Sequence, residues 1–414
     1  MMIFANAMGC DYTQHTLMCI KVENGFITQI TDDLCAMSDV DSHEVIDIDF
    51  KLLMPSFIDC NVYPKGRVLS RKTLTSLSQK ALRGGYGTLL LLPDTAPVID
   101  SEAIVELVRS VDTDLEVHIL PSIKPVFWDK DTLKLTDIGK LYDNKARGIY
   151  FQSDIEGNLI LRIAQYAKML KTPLICFAQN TSLAQGVINQ GAFATKLGLP
   201  TMHHKAQSIE VAKMCEMLLA QDVDVLFSAI GSPRCLEIIH TYKQQGLRAY
   251  TEVSLHHLIL NETICDDYNT AGKLNPPLLS ESMRQELAKL LCEGYIDVLT
   301  SLQCANFNSQ KDQVFELASF GIDSVAYGFA LAYDKIFKPY NLSLSMLSKL
   351  CSYNPAQILG LDSGSLEVGK RADFLIVDLD QHTHISDSFS PYYGVDLESK
   401  VVMMYKDSQL YEIS

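Results

Sequence analysis

Met54-Pro-Ser-Phe-Ile-Asp-Cys-Asn-Val-Tyr-Pro-Lys65 is the stretch that decides the architecture. With the two leucines before it, it supplies a strand-length apolar run, Leu52–Val62, of the continuous kind expected when both faces of a strand are buried. Comparable runs follow at Thr88–Leu92, Leu115–Ile119, Gly148–Phe151, Pro173–Phe177, Val223–Ala229, Arg248–Val253 and Ile296–Leu302. Amphipathic stretches such as Ser70–Arg83, Ala206–Ala220 and Glu281–Glu293 lie between them. Repeated strand-then-helix units with right-handed crossovers predict an α/β chain folded as a (β/α)8 barrel, with a doubly wound sheet as the runner-up.

The flanks read differently. Residues 1–53 and 362–414 carry short alternating strands such as Phe26-Ile-Thr-Gln-Ile30 and Asp373-Phe-Leu-Ile-Val-Asp378, so the two chain ends are expected to pair into one small β-sandwich domain around a 54–361 barrel. No internal repeat, low-complexity tract or long linker interrupts the pattern.

Composition bounds the function. A chain of 414 residues with 47% hydrophobic and 21% charged content buries a large core. The excess of 50 Asp+Glu over 35 Lys+Arg gives −15, which argues against nucleic acid and anionic membrane as partners. Eleven cysteines without a spaced framework point to reduced thiols. With no charged apolar leader and no membrane-length run, the expected location is the cytoplasm.

Short motifs then recur in a fixed order. They are Ala81-Leu-Arg-Gly-Gly-Tyr-Gly-Thr88, Leu92-Pro-Asp-Thr-Ala-Pro-Val-Ile-Asp100, Gly198-Leu-Pro200, Glu252-Val-Ser-Leu-His-His-Leu258, Lys273-Leu-Asn-Pro-Pro-Leu278, Phe320-Gly-Ile322, Asn354-Pro-Ala-Gln-Ile-Leu-Gly-Leu361 and Gly369-Lys-Arg-Ala-Asp-Phe374. Together they cover nearly the whole chain, which resembles dihydroorotases of the longer, multifunctional-complex type within the amidohydrolase superfamily.

That resemblance implies zinc, which lowers the pKa of bound water from about 15.7 to about 7. It also implies where the ligands belong, and those positions hold other residues. The family's Pro-Gly-x-Ile-Asp-x-His-Val-His-x-Arg puts Asn61 and Tyr63 at the two histidines. Its bridging carboxylate falls on Ser153 or the adjacent Asp154 of Phe151-Gln-Ser-Asp154. Its histidines on strands five and six become Phe177 and Ala229, and its general-base aspartate becomes Leu302. Amide, phenol, phenyl, methyl and isobutyl groups are poor zinc donors beside imidazole, thiolate or carboxylate.

The substrate contacts change as well. By the same resemblance Lys65 replaces an arginine, Asp94 an asparagine and Leu279 an arginine, while Asn275 and the pair His256-His257 are retained. Lysine keeps the charge but not the two-pronged fork. A residual ligand pocket is expected from Lys65, Asp94, Asn275 and His257, and no zinc. Cys60 and Cys176, one residue away from Asn61 and Phe177, are expected to face the outer helices.

The leading expectation is a catalytically deficient homologue, a structural or regulatory partner of aspartate carbamoyltransferase, as such proteins are in some bacteria, and a homo-oligomer. Two others stand beside it. One is an active cyclic-amide hydrolase of dihydroorotase or allantoinase type with a non-standard metal site from Asp59, Asp154 and His256 or His257. The other is a regulatory protein that senses a metabolite through Lys65, Arg67, Asp94 and Asn275.

Overall fold

The computed structural model describes residues 2–32 and 44–413; Met1, residues 33–43 and Ser414, parts of the expected chain-end domain, lie outside the described residues. Eight parallel strand positions close into a barrel. Phe57–Tyr63 pairs with Tyr86–Leu91, which pairs with His118–Pro121. An isolated bridge from Ile123 to Ile149 leads to Ile149–Gln152, then Leu174–Phe177, Val225–Phe227, Ala249–Ser254 and Val298–Thr300. The eighth position continues as Gln303–Cys304, which pairs with Val62 and Tyr63 and completes the ring.

The first apolar run is two strands. Leu52–Pro55 belongs to a second sheet, antiparallel to Phe374–Asp378 and parallel to Met2–Cys10. The chain changes sheets at Ser56, whose N–H donates to Asp373 O at 2.9 Å, whereas Phe57 N–H donates to Gly85 O at 2.9 Å in the barrel. The third barrel strand also sits later than its apolar run suggested, at His118–Pro121. A hairpin of Val126–Asp129 and Thr132–Leu135 follows it.

Strand alternation separates the cores. Leu89, Leu91, Ile149, Leu174, Cys176 and Val225 pack with helix residues such as Leu74, Leu77, Ile160 and Ile163. Leu90, Tyr150, Ile175 and Leu226 form a different cluster inside the barrel. Cys60 belongs to that inner cluster and not to the helix-facing one, because the first strand shifts register between Asp59 and Val62 and breaks the alternation that put it outside. Cys176 does face the helices, in contact with the Cys215 side of the core. The chain-end sheet has its own core of Phe4, Phe374 and Tyr405, whose rings meet at centroid separations of 4.9, 5.0 and 5.3 Å.

The helices begin where capping chemistry allows. Arg71–Arg83 starts with a reciprocal cap, in which Ser70 Oγ accepts from Thr73 N–H at 3.3 Å and Thr73 Oγ1 from Ser70 N–H at 3.1 Å. It ends at Gly84, where a Cβ would lie 1.8 Å from Val325 O, so only glycine allows the approach.

Candidate functional site at the barrel mouth

The C-terminal ends of barrel strands are where sites of this architecture form. Here they enclose a cavity of about 180 Å³. Asn61, Tyr63, Phe177, Ala229 and Leu302 all line it, so five of the positions singled out in the sequence converge on one space. Ser153 does not: it is fully buried behind the mouth, and its hydroxyl has no hydrogen-bond partner among the described residues.

Beneath the mouth lie two buried carboxylates. Asp59 accepts from the hydroxyls of Thr300 and Ser301, from Ser301 N–H at 2.9 Å and from Asn61 N–H at 3.0 Å. Glu252 Oε1 accepts from Ser228 Oγ at 2.9 Å, Ala229 N–H at 3.0 Å and Asn61 Nδ2 at 3.2 Å, while its Oε2 has no partner among the described residues. Burial, then the charge of Asp59, pushes the Glu252 carboxyl up to about 7, against the pull of its three donors. Burial likewise raises Asp59 above the usual carboxylate range.

Ala229 and Leu302 keep an unusual backbone, with φ of 52° and 48° in the left-handed region. Each is held by a neighbour: Ala229 N–H by Glu252 and Leu302 N–H by Thr300 Oγ1 at 2.9 Å. The turn geometry that ends strands six and eight is thus built although the side chains there are apolar.

Most polar groups at the rim are already paired. Asp94 accepts from Lys124 Nζ at 2.6 Å and Gln152 Nε2 at 3.3 Å. Asn275 and Gln179 exchange amide hydrogen bonds at 2.9 and 3.3 Å. Tyr63 and Tyr150 are buried together in the inner cluster, close enough for each hydroxyl to influence the other. Arg67 differs: its guanidinium lies 4.0 Å over the Tyr63 ring near the Cys304 thiol, and among the described residues no carboxylate pairs with it.

Of the four residues expected in a residual pocket, Asp94 and Asn275 line the cavity and Lys65 and His257 do not. Lys65 sits 5.5 Å from the Phe307 ring. Gly66 and Arg67 are both left-handed, with φ of 62° and 56°, and this turn carries Arg67 to the mouth in its place. His257 is buried between Ser254 Oγ at 2.7 Å and Pro276 O at 3.2 Å. His256 is bound to Tyr392 at 2.7 Å and Ser324 at 3.2 Å. Burial holds both imidazoles neutral, at about 3 for His256 and about 4 for His257. Leu279 is buried.

Zinc, implied by the resemblance, does not fit these residues. The mouth offers an amide, a phenol, a phenyl ring, a methyl and an isobutyl group, and among the described residues no three His, Cys, Asp or Glu side chains gather as a metal ligand set. The alternative trio does not converge either. The Asp59 carboxylate is saturated by donors, Asp154 is exposed and accepts from Thr181 N–H at 3.2 Å, and His256 is committed to Tyr392. Tyr150 and Glu252 escaped the sequence reading, Glu252 being visible only as the first residue of a motif; of the metabolite-sensing set, Arg67, Asp94 and Asn275 line the cavity and Lys65 does not.

A closed barrel with its cavity at the strand ends defines an α/β-barrel protein. The chain belongs to the amidohydrolase family, whose profile matches residues 78–409. It is 30% identical over 409 residues to a dihydroorotase of Geobacillus sp. (strain WCH70), covering 94% of this chain and 93% of that one. A dihydroorotase of Acetivibrio thermocellus is 27% identical over 400 residues, 93% of this chain and 92% of the relative. The L-hydantoinase (dihydropyrimidinase) from Arthrobacter aurescens superposes with a TM-score of 0.87 at 18% identity, over 99% of this chain and 95% of the other, which establishes the shared fold. Among the described residues no helix is long and apolar enough to cross a membrane.

Proposed function

We propose that this chain is a catalytically deficient dihydroorotase-like protein of pyrimidine biosynthesis that serves as a structural or regulatory partner of aspartate carbamoyltransferase. The observation that carries the reading is the chemistry of the mouth, where Asn61, Tyr63, Phe177, Ala229 and Leu302 face one cavity without a donor set for zinc. The dihydroorotase relatives, at up to 30% identity over most of the chain, supply the pathway. A barrel kept whole around a site without ligands is what selection on surfaces, in place of chemistry, leaves behind. The reading carries with it a cytoplasmic homo-oligomer.

Two measurements test it. The purified chain, loaded with zinc and desalted, is expected to retain well under one ion and to hydrolyse dihydroorotate at the background rate; stoichiometric zinc with turnover overturns the deficiency. Aspartate carbamoyltransferase from the same cell is expected to co-purify with the chain and to lose activity or oligomeric order without it. An aspartate carbamoyltransferase indifferent to the chain overturns the partnership.

A further inference from the structure

We propose that the mouth cavity is a binding site for a small monocarboxylate with an apolar body, its carboxylate on Arg67 and its body against Phe177, Ala229, Leu274 and Leu302. The size fits: about 180 Å³ compares with the cavity of about 150 Å³ that accepts benzene in an engineered protein core. One ring or one branched chain fills it.

The choice of body follows from what the walls can satisfy. Ala229, Leu274 and Leu302 belong to one apolar cluster with Phe177 packed on it. The polar groups nearby are engaged: Asn275 with Gln179, Gln152 with Asp94, and Asn61 Nδ2 with Ser228 and Glu252. A ring rich in amides would leave its water partners and find few replacements, whereas an apolar body loses nothing.

The choice of charge follows from Arg67. It is the cavity-lining charge without a charged partner among the described residues, since Asp94 is neutralised by Lys124 at 2.6 Å. The buried Asp59 and Glu252 lie beneath Asn61, so an anion is favoured at the rim and an apolar group below. A guanidinium stacked on the Tyr63 ring 4.0 Å away is preorganised to hold a carboxylate in two hydrogen bonds.

The inference stands apart from the proposed assembly role. Failed co-purification leaves it intact, and failed ligand binding leaves the assembly role intact. The test is isothermal titration of the full-length protein with benzoate, benzyl alcohol and orotate. Benzoate is expected to bind, and the neutral alcohol and the polar-ringed orotate each at least about tenfold more weakly. Arg67→Gln, an exposed rim change, is expected to lower benzoate affinity at least about tenfold, while Lys65→Gln leaves it within about twofold. Ala229→Leu, which fills the floor, is expected to abolish binding, with melting curves confirming that it folds. Absence of benzoate binding to the unaltered protein, tighter binding of orotate, or an Arg67→Gln variant with undiminished affinity each overturns the proposal.

Discussion

Asn61 Nδ2 lies 3.2 Å from Glu252 Oε1, joining the first and seventh strands inside the barrel. The same amide reaches Ser228 Oγ at 2.8 Å, so one neutral side chain ties strands one, six and seven together. By the family resemblance Asn61 stands where a metal ligand belongs. An amide there gives the buried carboxylate a hydrogen bond. The stabilisation is partial, since among the described residues Glu252 Oε2 keeps no partner and burial pushes the carboxyl up to about 7.

Glu252→Gln is therefore expected to stabilise the protein at pH 8. The folded value of about 7 is above the unfolded value of about 4.3, so the folded state holds the proton more tightly, and stability falls as pH rises from about 4.3 to 7. Removing the charge should recover on the order of 3 kcal/mol at pH 8 and almost nothing at pH 4. Urea denaturation at the two pH values checks this, and an equal effect at both sinks it. Asn61→Leu, which deprives Glu252 of a donor, should cost about 1–3 kcal/mol.

The barrel was readable because doubly buried strands leave unbroken apolar runs, and the same property hid a boundary. Nothing between Leu52 and Val62 says that the chain changes sheets at Ser56; the signal is a pairing with residues more than three hundred positions away. At the mouth, residue type alone marked Asn61, Tyr63, Phe177, Ala229 and Leu302, and the fold brings all five to one cavity. The arrival of Arg67 depended on two consecutive left-handed residues, and the burial of His257 on a carbonyl from Pro276; neither leaves a local pattern.

The two buried histidines predict acid sensitivity. Their folded values of about 3 and about 4 lie below the unfolded value of about 6.5, so their contribution is present above 6.5 and is lost as pH falls toward 4. Glu252 and Asp59, both raised by burial, take up protons in the folded state over part of that range and oppose them, so the histidine contribution is read as a difference between proteins. Urea unfolding between pH 6.5 and 5 measures it. In His256→Gln the slope should be shallower by up to about 1.4 kcal/mol per pH unit, the value of one proton. An unchanged slope would show that His256 titrates alike in both states.

Imidazoles placed at the mouth should create a metal site. Phe177, Ala229 and Asn61 line one cavity, and the turn at Ala229 retains its left-handed backbone. The combined Asn61→His, Phe177→His and Ala229→His variant should melt below the unaltered protein in chelator, because three imidazoles are buried without partners. Zinc should raise its melting temperature and leave the unaltered protein unmoved. Equal responses of the two proteins count against a shared ligand geometry.

Lys273 supplies the last prediction. It is 1% exposed, and its ammonium donates to the carbonyls of Phe315 and Ala318 at 2.6 Å and Glu316 at 3.0 Å, with the Phe320 ring centroid 4.6 Å away. One charge therefore organises the loop that delivers Phe320 and Gly321 to the cavity wall. Lys311, donating to Thr270 O at 2.9 Å, is the neighbouring cation, and burial pulls it down to about 8. Lys273→Met keeps most of the volume and removes every donor, leaving three carbonyls short at a cost of about 3 kcal/mol or more. The loop from 312 to 320 should then become the first site of limited proteolysis in native buffer. A variant with unchanged stability and an unchanged cleavage pattern would mean that the loop is held by its backbone turns and by Phe315 in its apolar cluster, without the lysine.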